Sequence, residues 1–465
     1  MGFVSFIRQR VSALAEHERA VLAQLSDQLA RFQGHNRLVA DYYDQRARIR
    51  DFGISIPPHI RGLADTTAGW PATVVDVLEE RLDHNGWIAS GGVDNLGIAD
   101  LVEENQLNGE FSKGHLDALI YGIAFGVVGR GDDGEPEVLV TVESPIRMTG
   151  IWSRRRRALE SALYVNLDNK KQPDIATLYL PGETIELVMD GGRWTVESRA
   201  PHSIDGVPCE PIVNRPRAGD TGGRSEITRA IRYYTDNAVR TLLGGEIARE
   251  FYGAPQRWAM GADEKSFVDQ HGNPLTAWES YLGKIMALPR DENGDLPQVG
   301  SFAAGSPEPF IAWLRQLSML VAAEAGMSAT YLGLIHDNPA SADAIRAADV
   351  RLEKRAERRQ RIFGAAEGRL MRKALWVRDG RDPGVTPLPM WRDAGTPTRS
   401  AQAQDAVALV TAGILPSDSD ITYERIGLSE PDRQRIRADL RRSRMVGTIS
   451  ALAAAAELAR EGDET

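Results

Sequence analysis

The residue groupings in this chain that could do chemistry are few, and most have a plainer reading. Gly129-Arg130-Gly131-Asp132-Asp133-Gly134 matches a dinucleotide fingerprint. That use needs a helix next, with its N-terminus facing the pyrophosphate. Pro136 to Glu143 follows instead and reads as a strand, so the glycines predict a hairpin turn. No GxxxxGK[ST] loop occurs, so the usual phosphate cradle of a nucleotide-driven motor is missing from the sequence. The eight histidines form neither an HExxH nor a close pair, which predicts no metal site. Glu79-Glu80, Glu103-Glu104 and Asp132-Asp133 are adjacent in sequence and do not face each other on a helix or strand. They are poor acid–base dyads. Arg154 to Arg157 beside Trp152 could grip nucleic acid, but a solvated corner or subunit contact is the better reading. No catalytic, cofactor-binding or metal-ligating residue is expected.

A longer constellation carries more. Residues 341–380 read as one helix with eleven Lys/Arg against six Asp/Glu, a net +5 inside a chain of net −10. Asp349, Glu353 and Glu357 recur at i,i+4, as do Arg351, Arg355 and Arg359. Like charges at that spacing repel, and the two stripes lie on nearly opposite faces. Each therefore wants a partner from outside the helix. Arg346, Arg351, Lys354, Arg355 and Arg358 are assigned to contacts between subunits in preference to DNA phosphates. The apolar line of this helix (Ile345, Ala348, Leu352, Ala356, Phe363, Ala366, Leu370) is narrow, which predicts a helix lying along other helices or facing solvent rather than a core helix.

The elements that must position this helix can be read around it. Residues 4–33 form an amphipathic helix on Ile7, Val11, Leu14, Leu22, Leu25, Leu29 and Phe32. Pro71 to Leu82 is a short helix, and Phe111 to Val127 is a further one. VLVTVE, ALYVN, ATLYL, IELVM and RWTVE are strands, separated by turns at Asp133-Gly134, Pro181-Gly182 and Asp190-Gly191. Ser225 caps a helix reaching Phe251, and Ser306-Pro307 opens another that Gly326 ends. These two should pack antiparallel and hold the insert 252–305, with QRWAM and KIMALP as strands, at one end. TPLPMW returns as an edge strand, and residues 400–463 are helical again.

Composition narrows the class. Hydrophobic residues at 42% and charged at 26% are ordinary for a folded protein. Net charge −10 argues against a basic nucleic-acid-coating surface, serves solubility, and would also suit the lining of a channel through which DNA slides. Cys209 is the single cysteine, so no disulfide forms within the chain, as suits a reducing cytoplasm. Charge appears early in MGFVSFIRQRVS, which is not a signal peptide, and no apolar run approaches the ~18 residues of a membrane span.

YLG…NPASADAIRAAD (Tyr331 to Asp349), GRSEITRAIRYYTDNAVRTLL (Gly223 to Leu243) and, more loosely, Asp41 to Leu82 resemble the portal proteins of tailed double-stranded-DNA phages. The order and spacing of these blocks carry the resemblance, which fades after about Pro397. It implies an α+β, multidomain subunit. After an N-terminal helix (1–40) come a β-rich wing (41–222), a stem helix (223–251), a small α/β clip (252–305) and a second stem helix (306–326). A tunnel loop (327–341), a long channel helix (342–380), a return segment of the wing (381–398) and a helical crown (399–465) complete it. It also implies a structural, non-enzymatic ring, dodecameric, at the capsid vertex of the virion and assembled in the host bacterial cytoplasm. Its partners would be itself, double-stranded DNA in the channel, the terminase large subunit, the major capsid or scaffolding protein and a head–tail adaptor, with no membrane and no cofactor. Tyr331, His336, Asp337 and Asn338 would stand nearest DNA. The alternatives are a nucleic-acid-processing enzyme, for which neither phosphate loop nor acidic metal cluster is found, and a minor head protein without a channel.

Overall fold

The computed structural model describes residues 13–47, 66–89, 96–170, 172–191, 193–220, 222–252, 257–260, 298–301, 306–334, 342–395, 399–428, 432–443 and 445. They form mixed helix and sheet in two compact units, divided at Ala394/Gly395.

In the first unit, α1 (Glu16–Tyr43) lays Leu22, Leu25 and Leu29 on an antiparallel five-stranded sheet. Its strands, in spatial order, are Met148–Ser153, Ala158–Leu167, Pro173–Leu180, Glu183–Asp190 and Arg193–Pro201. The alternation of inward and outward residues in the sequence places Leu163, Leu178, Leu187 and Trp194 on the covered face. Each such leucine contributes roughly 1.5–3 kcal/mol on burial. Glu18 closes the helix start by accepting from the Ala15 N–H at 2.7 Å, and Arg199 of the last strand reaches it at 2.8 Å. The helix ends ten residues past the expected 33, while its expected beginning, with Ile7 and Val11, lies outside the described residues. It runs through Gly34, whose missing side chain meets open space, and Phe32 is turned outward.

A second layer holds the main core. The helices α2 (Trp70–Glu79), α3 (Ile98–Glu104) and α4 (Leu107–Tyr121) pack on a three-stranded sheet of Val138–Glu143, Ile123–Arg130 and Cys209–Val213, in that order. The expected helix through Val127 stops at Tyr121. Gly122 takes φ +100°, and the β-branched stretch from Ile123 turns into the central strand. The GRGDDG segment makes the hairpin between Ile123–Arg130 and Val138–Glu143.

Two helices, α5 (Arg229–Tyr252) and α6 (Glu308–Ala325), are antiparallel. Thr228 donates to Glu324 at 3.1 Å at one end, and Gly244 and Gly245 lie under the Phe310 ring at the other. Between them, Arg257–Met260 pairs antiparallel with Gln298–Ser301; KIMALP lies outside the described residues. Ser225 does not cap α5. Its hydroxyl serves the Ile227 N–H in a turn, and Thr228 serves Ile231. Gly326 closes α6 with φ +66°.

The long helix α7 (Ala342–Asp379) spans about 57 Å at ~1.5 Å per residue. Against its narrow apolar line, it is a core helix: Leu352, Ala356, Phe363, Ala366, Leu370, Met371, Ala374 and Leu375 are all buried. Small residues explain the difference. A Cβ on Gly368 would stand 2.3 Å from the Pro387 carbonyl oxygen, and one on Gly126 of the sheet 2.3 Å from Leu370. Backbone thus packs directly on helix where the sequence shows no large apolar residue. Leu388–Trp391 returns to pair with His84–Ile88.

The second unit contains helices α8 (Arg399–Thr411) and α9 (Asp420–Arg425), the latter capped by Ser419 accepting from Thr422. Arg437 pairs with Asp420 within it. The stretch 448–460, expected to be helical, lies outside the described residues. Among the described residues no helix is long and apolar enough to cross a membrane.

Candidate interface and channel surfaces

The charged half of α7 is organised around two carboxylates, Glu226 from elsewhere in its own unit and Asp349 of the helix itself. Glu226, in the turn before α5, is 1% exposed and receives Arg355 and Arg359 of α7 together with Arg215 at 3.4 Å. Asn214 adds its amide to Glu226 at 3.0 Å and accepts from the Arg359 Nε at 3.2 Å. Burial alone would raise the Glu226 carboxyl; the guanidiniums of Arg359, Arg355 and Arg215 outweigh it and hold it below the usual range. Crowding acts in reverse on Arg355, which burial lowers despite the attraction of Glu226. On the other side of the helix, Asp349 meets Arg81 of the α2 end at 3.3 Å and accepts from the Tyr331 hydroxyl at 3.0 Å. The outside partners demanded by the like-charge spacing therefore come, for Asp349, Arg355 and Arg359, from within the chain. Arg351 donates to the Ala323 carbonyl at 3.2 Å, beside Gly326.

Cations remain after this pairing. Arg351, Lys354, Arg355 and Arg358 form one wall of a cleft of about 530 Å³, with Arg215 and Glu324 opposite. A smaller cleft of about 320 Å³ adjoins it, where Arg358 meets Arg217 and Arg224 of the loop before α5. Among the described residues, Lys354, Arg358 and Arg217 are exposed and meet no carboxylate. Val350 and Ile362 flank these clefts, 42% and 38% exposed. The paired helices also present unpartnered apolar side chains: Tyr233 at 62% on α5, and Ile311, Trp313 and Met319 on α6.

Residues 65–419 match the family described as phage portal protein, SPP1 Gp6-like. The portal protein of Mycobacterium phage D29 is 33% identical over 416 residues, covering 85% of this chain and 83% of that one. The portal protein of Mycobacterium phage L5 is 32% identical over the same shares. The chain belongs to the phage portal protein family. Portal proteins are structural and not enzymatic, which agrees with the lack of catalytic motifs in the sequence. Chains from structures titled as the virion of a native gene transfer agent particle and the neck of that particle with C12 symmetry match at TM-scores of 0.43 and 0.44. They are 15% and 14% identical and cover 81% of this chain and 95% of theirs.

For this portal chain, the site residues expected from sequence do not gather in one place. Arg351, Lys354, Arg355 and Arg358 share the basic cleft. Arg346 falls on the described backbone of α7, but its side chain lies outside the described residues. Tyr331 sits in a short 3₁₀ turn (Ala329–Leu332) with its hydroxyl held by Arg81 and Asp349. His336, Asp337 and Asn338 lie outside the described residues. Arg154 to Arg157 form the exposed turn between two strands of the five-stranded sheet.

Sequence reasoning missed a buried triad. His84 meets Glu367 of α7 at 3.0 Å, and His115 of α4 meets the other oxygen of the same carboxylate. His115 stacks on Phe363 at 5.3 Å, and His84 lies 4.3 Å from the Trp391 ring. Burial would raise the Glu367 carboxyl, but His115 and then His84 hold it down at about 2. The three ligand-capable atoms lie within 4.8 Å of one another, so the set could hold a cation. It lacks the support metal-binding histidines usually have, since the His115 Nδ1 is buried without a partner. The arrangement acts as a hydrogen-bonded clamp between α4, α7 and the 84–88 strand. One signal was legible: Glu367 falls on the apolar stripe between Phe363 and Leu370.

Proposed function

We propose that this chain is the subunit of a closed homo-oligomeric ring, dodecameric, that forms the DNA channel at one capsid vertex of the virion. Genome packaging and ejection run through the channel, and no covalent chemistry is performed. Membership of the portal family supports the reading first. Within the molecule, one observation carries it: the antiparallel pair α5–α6 exposes Tyr233, Ile311, Trp313 and Met319. Large apolar side chains left exposed along a helical pair favour cover by a neighbour in the working assembly.

In this reading α5 and α6 are the stem, the segment they hold at one end is the clip, and residues 335–340 are the part of the tunnel loop that approaches DNA. The clip docks the terminase large subunit during packaging and a head–tail adaptor afterwards. The sheet layers of the first unit and the helical second unit meet capsid or scaffolding protein. A ring made by repeating one head-to-tail contact needs two different faces on each subunit, and a closed rotation stops it growing.

Native mass and negative-stain images of the purified full-length chain test the ring. About a dozen subunits around a central hole is the expected outcome. A compact monomer at every concentration and salt, folded by circular dichroism, would sink it.

A further inference from the structure

The basic clefts on α7 are built beyond what the fold requires. Glu226 is already over-satisfied by Arg215, Arg355 and Arg359, and it balances only one of them. Lys354, Arg358 and Arg217 then add exposed charge in the same place and pair with no carboxylate among the described residues; Glu324, across the larger cleft, accepts from the Thr228 hydroxyl instead. Clustered cations repel one another, so such a cleft is costly until an anionic surface enters it.

The same unit carries the complement, out of its own reach. The hairpin between Ile123–Arg130 and Val138–Glu143 exposes Asp132, Asp133, Glu135 and Glu137, and α3 beside it exposes Glu103 and Glu104. Asn105 joins the two through hydrogen bonds to the Val138 carbonyl and the Val140 N–H, both 2.9 Å. This acidic edge sits at the C-terminal end of α7, where Arg378 donates to the Leu96 carbonyl at 2.7 Å, just ahead of α3. Arg358 lies twenty residues earlier on a continuous helix, about 30 Å away at ~1.5 Å per residue. The acidic edge cannot fold back into its own cleft.

The geometry points to an intersubunit dock in which the cleft of Arg215, Lys354 and Arg358 on one copy receives the acidic hairpin, Asp132 to Glu137, of a second copy of this chain. This rests on the ring reading above and names the two faces of its repeating contact. A protein edge suits the cleft better than a phosphate backbone does. Val350 and Ile362 stand exposed at its margins and need apolar cover, and the chain as a whole is acidic by ten charges.

Charge reversal on exposed positions tests the dock without touching the core. The variants are Lys354→Glu with Arg358→Glu, then Asp132→Lys with Asp133→Lys and Glu135→Lys, and finally all five together, each as the full-length chain. Ring assembly is read by native mass against protein concentration in low and high salt. Each half-reversed variant should need at least ~10-fold more protein to close rings, because like charges then face across the contact. The full reversal should return the requirement to near that of the unaltered chain. If the cleft variant closes rings at unaltered concentrations, the dock is wrong while the ring stands. Loss in the cleft variant without rescue removes the hairpin as occupant. A short DNA duplex that binds the unaltered chain and is lost with Arg358→Glu, while rings still close, would assign the cleft to DNA and overturn the dock. An unaltered chain that never assembles overturns ring and dock together.

Discussion

Glu367 shows how far one buried charge can commit a fold. Its carboxylate is unexposed and survives only because His115 and His84 face it from α4 and the 84–88 strand. Its depressed pKa, about 2 against an ordinary 4.5, fixes the sign of its contribution. Stability from this group is present above the unfolded value near 4.5 and is lost as pH falls towards 2. At 1.36 kcal/mol per unit the shift corresponds to about 3 kcal/mol. Glu367→Gln should therefore cost about 3 kcal/mol in urea unfolding at pH 6, and the gap to the unaltered chain should close as pH approaches 2. A gap that does not change with pH would show that the clamp is steric and does not depend on the carboxylate's charge. Glu226 is the second such residue, with the difference that its surplus of arginines faces a cleft and not the core.

At the scale of elements, α7 is the spine, and its glycines decide what may pack on it. The Gly368 site is closed by the Pro387 carbonyl oxygen, backbone that cannot swing aside. Gly368→Ala should destabilise by about 1–3 kcal/mol through overpacking, despite alanine's better helix propensity. Gly34→Ala in α1 is the matched control: nothing lies within 4 Å, so it should stabilise by roughly 0.5–1 kcal/mol. Thermal unfolding of both variants checks the pair, and equal effects at the two positions would remove the packing argument. The same logic accounts for Gly244 and Gly245 in α5. They weaken the helix locally, yet they admit the Phe310 ring and so fix how close α5 and α6 approach.

For the whole molecule, the proposed roles separate into parts that can be altered independently. Tyr331 is tied to Arg81 and Asp349, so the loop's first residues belong to the framework of the unit. Replacing residues 335–340 with a glycine linker should spare that framework, leave ring mass unchanged and reduce DNA filling of particles. A packaging assay reads the second quantity and native mass the first. Normal filling would take the DNA-contact role from this loop, and loss of rings would make it an assembly element.

Periodicity and turn chemistry determined much of this protein by themselves. Apart from Met148–Ser153, the strands from Val138 to Pro201, together with the α5–α6 pair, the αL stop at Gly326, the extent of α7 and the return strand at Leu388–Trp391, were legible, because each depends on residues within a few positions of one another. The three sequence blocks likewise carried the family resemblance. What only the tertiary structure decided is where long-range partners fall. Gly364 and Gly368 of α7 and Gly126 of the sheet opposite turn the thin apolar line of α7 into a core face, a property of the two surfaces together and not of the helix alone. Histidines 31 positions apart close on one glutamate of α7, and the stripes of like charge find Arg81 and Glu226, far away in sequence. Side-chain spacing along one element fixes that element's faces; which faces meet, and which cations are left over for a neighbour, is set by packing between elements, which no local pattern encodes.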